Sequence, residues 1–500
     1  MPRSRPSPVA YLRTHVPFVA LAVLLASAFL LGGGSRDDIV SLIALRPIAV
    51  ICLGIGLYGL TGEQWRAFRL PLGMMAAIIG LILLHLIPLP PAIWQAIPGR
   101  ELAIAAGEAA GGIQPWRELS LVPYRGWNAF YAMLVPAAAM VLAVQIDRED
   151  HRKLLYVLIA AAIASALWGM VQAIGGFGPG LYFYDVTNSD SPTGFFANRN
   201  HMAAMQVCIL PLLALIAARA KGPRMRLIQT ACAAIAVLAV MMAAATGSRA
   251  GIALALVALA ASWLVWNARP RHNNALRRRD QRQRWVPFAF AGFGAAMLGG
   301  FALLLTRSQS FERISGTSPV EEYRFLVWET MVEFLPQYLP FGSGIGSFVE
   351  IFQVHEPSAM LGTSYWNHAH NDWLEWTLEG GIPAVLLMIV ALVAFVRGAF
   401  ALLSLAHTGR FGVQLGLAGA IILFVLGLWS AVDYPLRVPA LAVVAALASV
   451  WMAFPRANQA LQGLGRAQSG QSAGKPVFMS SEGSFATRPS TRANEGTRVG

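Results

Sequence analysis

The stretch Asn367-His368-Ala369-His370-Asn371-Asp372-Trp373-Leu374-Glu375, running on to Glu379-Gly380-Gly381-Ile382-Pro383, is where this chain gathers groups able to move a proton. It closes the longest polar segment, at the point where that segment re-enters an apolar run. Ionisable groups collected at a membrane boundary are costly to keep there unless they serve a purpose. Asp372-x-x-Glu375 has the form of a capping box, which predicts a helix starting at Asp372. His370 then stands just before a helix N-terminus, whose positive end disfavours the imidazolium. A neutral imidazole near pH 7 is what a general base requires. The plain alternative is a histidine that only bonds its own loop. His368 permits a metal reading together with Asp372, but a third clear ligand is lacking, and the expectation is no metal and no cofactor.

Two further motifs carry positive charge. Thr246-Gly247-Ser248-Arg249-Ala250-Gly251 joins two apolar runs through a very short turn, with Ser248 placed to cap the next helix and Arg249 in its first turn. Asn198-Arg199-Asn200-His201 likewise opens an apolar run, after Gly194-Phe195-Phe196. A helix N-terminus beside a guanidinium is a ready anion site. Two of them facing one compartment suggest a bisphosphate or pyrophosphate, and Arg324 and Arg313 in the long polar segment would add charge from above. For each arginine alone, snorkelling at the interface or a solvated helix face is the alternative. Asn371, His368, Asn198 and Asn200 are the polar groups placed to support such a site. Asp-x-Asp, Walker A and Gly-x-Ser-x-Gly patterns are absent. Phosphate handled without a metal must be neutralised by Arg, Lys and helix ends, which is the set present.

The elements that position these groups are membrane spans. The chain has 500 residues, 56% hydrophobic and 13% charged; a soluble domain carries about 25% charged residues. Twelve apolar runs near span length can be drawn, at 16–31, 40–60, 71–89, 127–145, 154–174, 201–218, 227–245, 251–266, 286–306, 381–400, 412–432 and 436–454. Together these predict an all-α polytopic fold. Although the N-terminal run ends in a small-residue stretch resembling a signal-peptide end, more spans follow at once, and it reads as a retained first helix. With the N-terminus in the cytoplasm, the inner segments hold most of the 38 Lys and Arg residues, so both termini are expected inside. The net charge of +13 then points to anionic lipid rather than nucleic acid. The Arg-rich segment 267–285 reads as a topology anchor. Cys52, Cys208 and Cys232 all lie within apolar runs, where neither a disulfide nor a thiolate metal site is expected.

The organisation expected is a polytopic domain over 1–454 and a polar tail over 455–500 that composition marks as disordered. The long outer loop, 307–380, exceeds an ordinary connection, and loops of that length usually carry function. It is rich in aromatic residues, and the pattern of Tyr323, Leu326, Val327, Thr330, Met331 and Phe334 predicts an amphipathic helix within 320–335, lying on the outer membrane face.

Taken in order, Gly194–His201, Thr246–Gly251, the glycine-rich Pro340–Phe348, and His370-Asn371 followed by Leu374, Glu379 and Gly381 resemble the landmarks of the O-antigen ligase and O-antigen polymerase superfamily, over about 190–400. One landmark departs: the family's Gly-x-x-Gly reads Gly381-Ile382-Pro383-Ala384 here. The resemblance implies a GT-C-like glycosyltransferase of the bacterial inner membrane. It would transfer a glycan from undecaprenyl pyrophosphate, with inversion and without a metal, to an acceptor hydroxyl on the periplasmic side. By the same resemblance His370 is catalytic, and Arg249, with Arg199 and Arg324, holds the pyrophosphate. The ligase reading, with lipid A core as acceptor in cell-surface lipopolysaccharide biosynthesis, comes first by family frequency; a growing glycan or exopolysaccharide chain (a polymerase) and a protein hydroxyl are the alternatives. A polysaccharide transporter or flippase is the reading from another class. Against it stand the absence of a half-to-half repeat and the placement of the largest loop outside, before the tenth run.

Overall fold

A computed structural model describes residues 8–176, 178–268, 319–362 and 365–472. Among them the regular structure is almost all helical, and the strands are one antiparallel pair of two residues each, Pro88–Leu89 with Arg117–Glu118. Nine described helices are long and apolar enough to cross a membrane: Leu42–Gly59, Pro123–Ala143, Arg148–Ile174, Arg199–Arg219, Met225–Ala245, Arg249–Asn267, Asp372–Thr408, Phe411–Trp429 and Pro439–Leu461. Two shorter apolar helices, His15–Leu31 and Arg69–His85, fall on the first and third predicted runs. The chain is an all-α polytopic membrane protein. The count expected from sequence was about twelve. The remaining run, 286–306, lies outside the described residues, as do Arg313 and most of the Arg-rich segment. Helices follow from the solvent: in hydrocarbon every backbone N–H and C=O must be satisfied within its own segment.

Burial sorts the spans into layers. Arg199–Arg219 and Phe411–Trp429 are the most enclosed, while Asp372–Thr408 is nearly all peripheral, presenting Leu386, Ile389, Val393 and Phe400 outward. Between enclosed spans close packing, rather than exclusion of water, holds helices together. Phe411–Trp429 therefore meets the last helix through small residues. A Cβ on Gly419 would lie 2.5 Å from the Ala448 carbonyl oxygen, so any side chain there forces the two helices apart.

Three features bear on the site. The helix beginning at Asp372 is broken at Gly381, whose φ of 59° and ψ of −151° are not helical. A Cβ there would lie 2.2 Å from the Pro340 carbonyl oxygen, so position and backbone both demand glycine. The break separates a short leading segment, which holds Asp372, Glu375 and Glu379, from the span proper. Second, the predicted amphipathic helix exists as Pro319–Phe334, but its apolar stripe does not face lipid. Val327, Met331 and Phe334 are buried against Phe348 and Phe352 of the helix Phe348–His355 and against Leu378. Two amphipathic helices that can bury their stripes on each other have no need of the bilayer for it. Third, the final helix runs Pro439–Ser472, past the predicted domain end near 454.

Candidate active site

Asn371, not Asp372, caps the helix. Its backbone is extended and its side-chain oxygen accepts from the Leu374 N–H at 3.1 Å. The capping-box expectation placed the helix start correctly but misassigned the carboxylates, which are held by groups from elsewhere. His370, immediately before the cap, has a φ of 53°, the only positive φ among the described non-glycine residues. Left-handed backbone at a bulky residue is held only where surrounding contacts over-determine it. Here those contacts come from the turn after Phe411–Trp429. His370 Nδ1 lies 3.3 Å from Asp433 Oδ1, and its ring meets Tyr434 edge-on at 4.8 Å.

Asp433 is the hub. It is 1% exposed, and its Oδ2 accepts from Asn200 Nδ2 at 2.6 Å. Its Oδ1 accepts from the Tyr434 N–H at 3.0 Å, and His201 Nε2 lies 3.9 Å away. Burial works against ionising this carboxyl, but its contact with His370, followed by the fields of His201 and Arg324, holds it well below the usual carboxylate range. Burial is also the largest influence on His370 and lowers it below 6.5; Arg324 adds to that, and Asp433 opposes it. Burial thus favours the neutral imidazole at neutral pH. Asp433 Oδ1, 3.3 Å from Nδ1, is the nearest carboxylate and favours the tautomer with its proton on Nδ1, leaving the lone pair on Nε2.

His368 is tied differently. Its Nδ1 is 2.9 Å from Glu375 Oε1, while Glu375 Oε2 accepts from the Ala369 N–H at 2.8 Å. Burial lowers its pKa as well. Arg437 stands behind the loop. Its Nη2 lies 3.1 Å from Glu375 and 3.0 Å from Glu379, and its Nε 3.2 Å from Asp372. Asp372 also accepts from Ser430 Oγ at 3.1 Å. Burial opposes the guanidinium charge, yet the three carboxylates hold it protonated. Asp372 is thus occupied by Arg437 and Ser430 and His368 by Glu375. No described cluster of three or more His, Cys, Asp or Glu is arranged to hold a metal ion.

The other motifs brace this centre. Asn198 caps the helix Arg199–Cys208, accepting from the Asn200 N–H at 2.8 Å, and its amide reaches the Tyr434 hydroxyl at 3.4 Å. Ser248 caps the helix Arg249–Asn267 by accepting from the Gly251 N–H at 3.1 Å, as predicted. That helix start lies on the first turns of Arg199–Cys208: a Cβ on Gly251 would come within 2.9 Å of Ala203 Cβ. Arg199 and Arg249 therefore begin two helices in mutual contact, at the bundle end that holds His370. The glycine-rich segment is structural. Ser343 and Gly344 N–H groups donate to the Leu378 and Glu379 carbonyls at 3.0 and 2.9 Å, clamping the end of the leading helical segment. Trp328 Nε1 donates to the Ala369 carbonyl at 2.7 Å, fastening the helix that carries Arg324 over the histidine loop.

The structure thus brings His370, His368, Asn198, Asn200 and Arg324 around Asp433 and Tyr434. Asn371 serves as a helix cap, and Arg199 and Arg249 lie at the same end without a direct contact to His370 among those described. Sequence reading missed Asp433, Tyr434 and Arg437. Their signal was available: an acid and a phenol stand in the short gap between the apolar runs 412–432 and 436–454, and a base opens the second, where polar groups are costly.

Residues 234–389 match the family described as O-Antigen ligase. No curated protein matches the chain. The matched segment contains Arg249, Arg324, His368 and His370, while Asn198–Asn200 and Asp433–Arg437 lie outside it and pack onto it. Residues 234–389 of this all-α polytopic membrane chain, including the left-handed histidine and the loop that presents it, are thus similar to the O-antigen ligase family.

Proposed function

We infer that the chain is a glycosyltransferase that moves a glycan from undecaprenyl pyrophosphate to an acceptor hydroxyl at the periplasmic face of the bacterial inner membrane. The observation that carries this reading is the juxtaposition of a partly exposed His370 with a buried Asp433, 3.3 Å apart. His370 Nε2 accepts the acceptor's proton as its oxygen attacks the anomeric carbon. Asp433 fixes the tautomer and stabilises the imidazolium that forms. The bond from the anomeric carbon to the pyrophosphate oxygen breaks in the same displacement, so configuration inverts. The departing pyrophosphate takes its charge to Arg249, Arg199 and Arg324 and to the starts of the two helices in contact there. Lipid A core is the acceptor on the ligase reading; a growing glycan or a protein hydroxyl would use the same groups.

Purified full-length chain with a lipid-linked glycan tests the assignment. His370→Ala should lower transfer about 10²–10⁴-fold, the usual contribution of a positioned base, while the lipid-linked donor stays bound. Transfer by the variant at the parent rate would end the reading.

A further inference from the structure

At the bundle end opposite His370, helix ends leave two adjoining clefts of about 410 and 350 Å³. Arg148, at the start of Arg148–Ile174, and Arg219, at the end of Arg199–Arg219, line both, with Arg152 and Arg410 at their edges. The guanidinium carbons of Arg148 and Arg219 sit 4.9 and 5.4 Å from the centroid of one ring, Phe411. Arg219 donates to a neutral partner, Gln414 Oε1, at 2.8 Å. The acids beside them are engaged elsewhere: Glu149 lies 3.4 Å from Arg152, and Asp147 caps its helix by accepting from the Asp150 N–H at 2.8 Å. Among the described residues, no ion pair reaches Arg148, Arg219 or Arg410.

Like charges drawn to one ring beside an open cleft repel each other unless an anion lies between them, and guanidinium groups suit phosphate in particular. Leu405, Val413 and Phe454 form apolar wall in the second cleft, which a wholly polar ligand would leave unmatched. We propose that this cleft binds a phosphate group, that of an anionic phospholipid headgroup from the leaflet at this face. Arg148 and Arg219 hold the phosphate, and the apolar wall takes the upper part of an acyl chain. This inference does not depend on the chemistry assigned to His370.

Native mass spectrometry of the full-length chain, offered phosphatidylglycerol and phosphatidylcholine in equal amounts, provides the test, with thermal unfolding in inorganic phosphate as a second arm. The parent should retain phosphatidylglycerol preferentially. Arg148→Gln should cut that preference about five-fold, as expected for one surface arginine, and Arg148→Gln with Arg219→Gln should abolish it. Arg66→Gln, an equal charge change on an exposed helix at the same end, should leave it intact. Arg148 is exposed, so its single variant decides the matter if the double variant does not fold. Stabilisation by inorganic phosphate that Arg148→Gln removes, without lipid preference, would keep the phosphate site and assign it to a soluble ligand. Equal retention of both lipids with no phosphate effect would overturn the proposal, as would an Arg66→Gln loss as large as that of Arg148→Gln.

Discussion

Arg437 and Arg148 carry the same cation at opposite ends of the bundle, in surroundings of different kinds. Arg437 is enclosed by Asp372, Glu375 and Glu379, which pair with its charge. Arg148 lies against Phe411 beside an open cleft, with no ion pair among the described residues. An arginine near a membrane face is therefore not by itself an anion site. Arg437 is a strut that holds a histidine loop, whereas Arg148 is free to meet a ligand. Arg249 and Arg199 differ from Arg437 in place: they begin helices and add to their positive ends.

The contrast can be broken most directly at Arg437. Arg437→Ala leaves buried carboxylates without their cation, a change that typically costs about 3–5 kcal/mol. Thermal unfolding should show a large loss, and Arg148→Gln should show almost none; equal effects would erase the difference between strut and open site. Next, Asp433→Asn removes the partner of His370 Nδ1 without changing shape. Transfer should fall about 10²-fold, within the range for misdirected acid–base groups, with donor binding retained. Arg249→Ala should weaken binding of the lipid pyrophosphate about ten-fold at low salt, on the order of one charge-assisted contact, and less at high salt. Unchanged binding would remove that role.

The smallest effect is the most diagnostic. On the proposed mechanism the neutral form of His370 is the active one, so transfer should be full at neutral pH and fall on acidification through its lowered pKa. Arg324 helps lower that pKa and Asp433 opposes it. Arg324→Gln should thus move the acid limb to higher pH, and Asp433→Asn should move it lower. Coincident pH profiles for parent and Arg324→Gln would mean that Arg324 does not act on His370.

Much of this could be read from residue order alone. Runs of apolar residues fix helices because hydrocarbon leaves the backbone no other partner, and eleven of the twelve predicted runs coincide with described apolar helices. Asn198 and Ser248 cap helices because each cap is a local bond between near neighbours. His370 could likewise be picked out as an interfacial histidine before a helix. The chain order could not decide which carboxylate His370 faces, that Arg437 is neutralised while Arg148 is not, or that burial lowers the pKa of the imidazole. Those outcomes arise where Asp433 and Arg437, on the turn after a later helix, are carried by close packing against a loop far away in the sequence. Hydropathy and capping act over a few residues and are written locally, whereas charge pairing depends on which helix ends the bundle brings together.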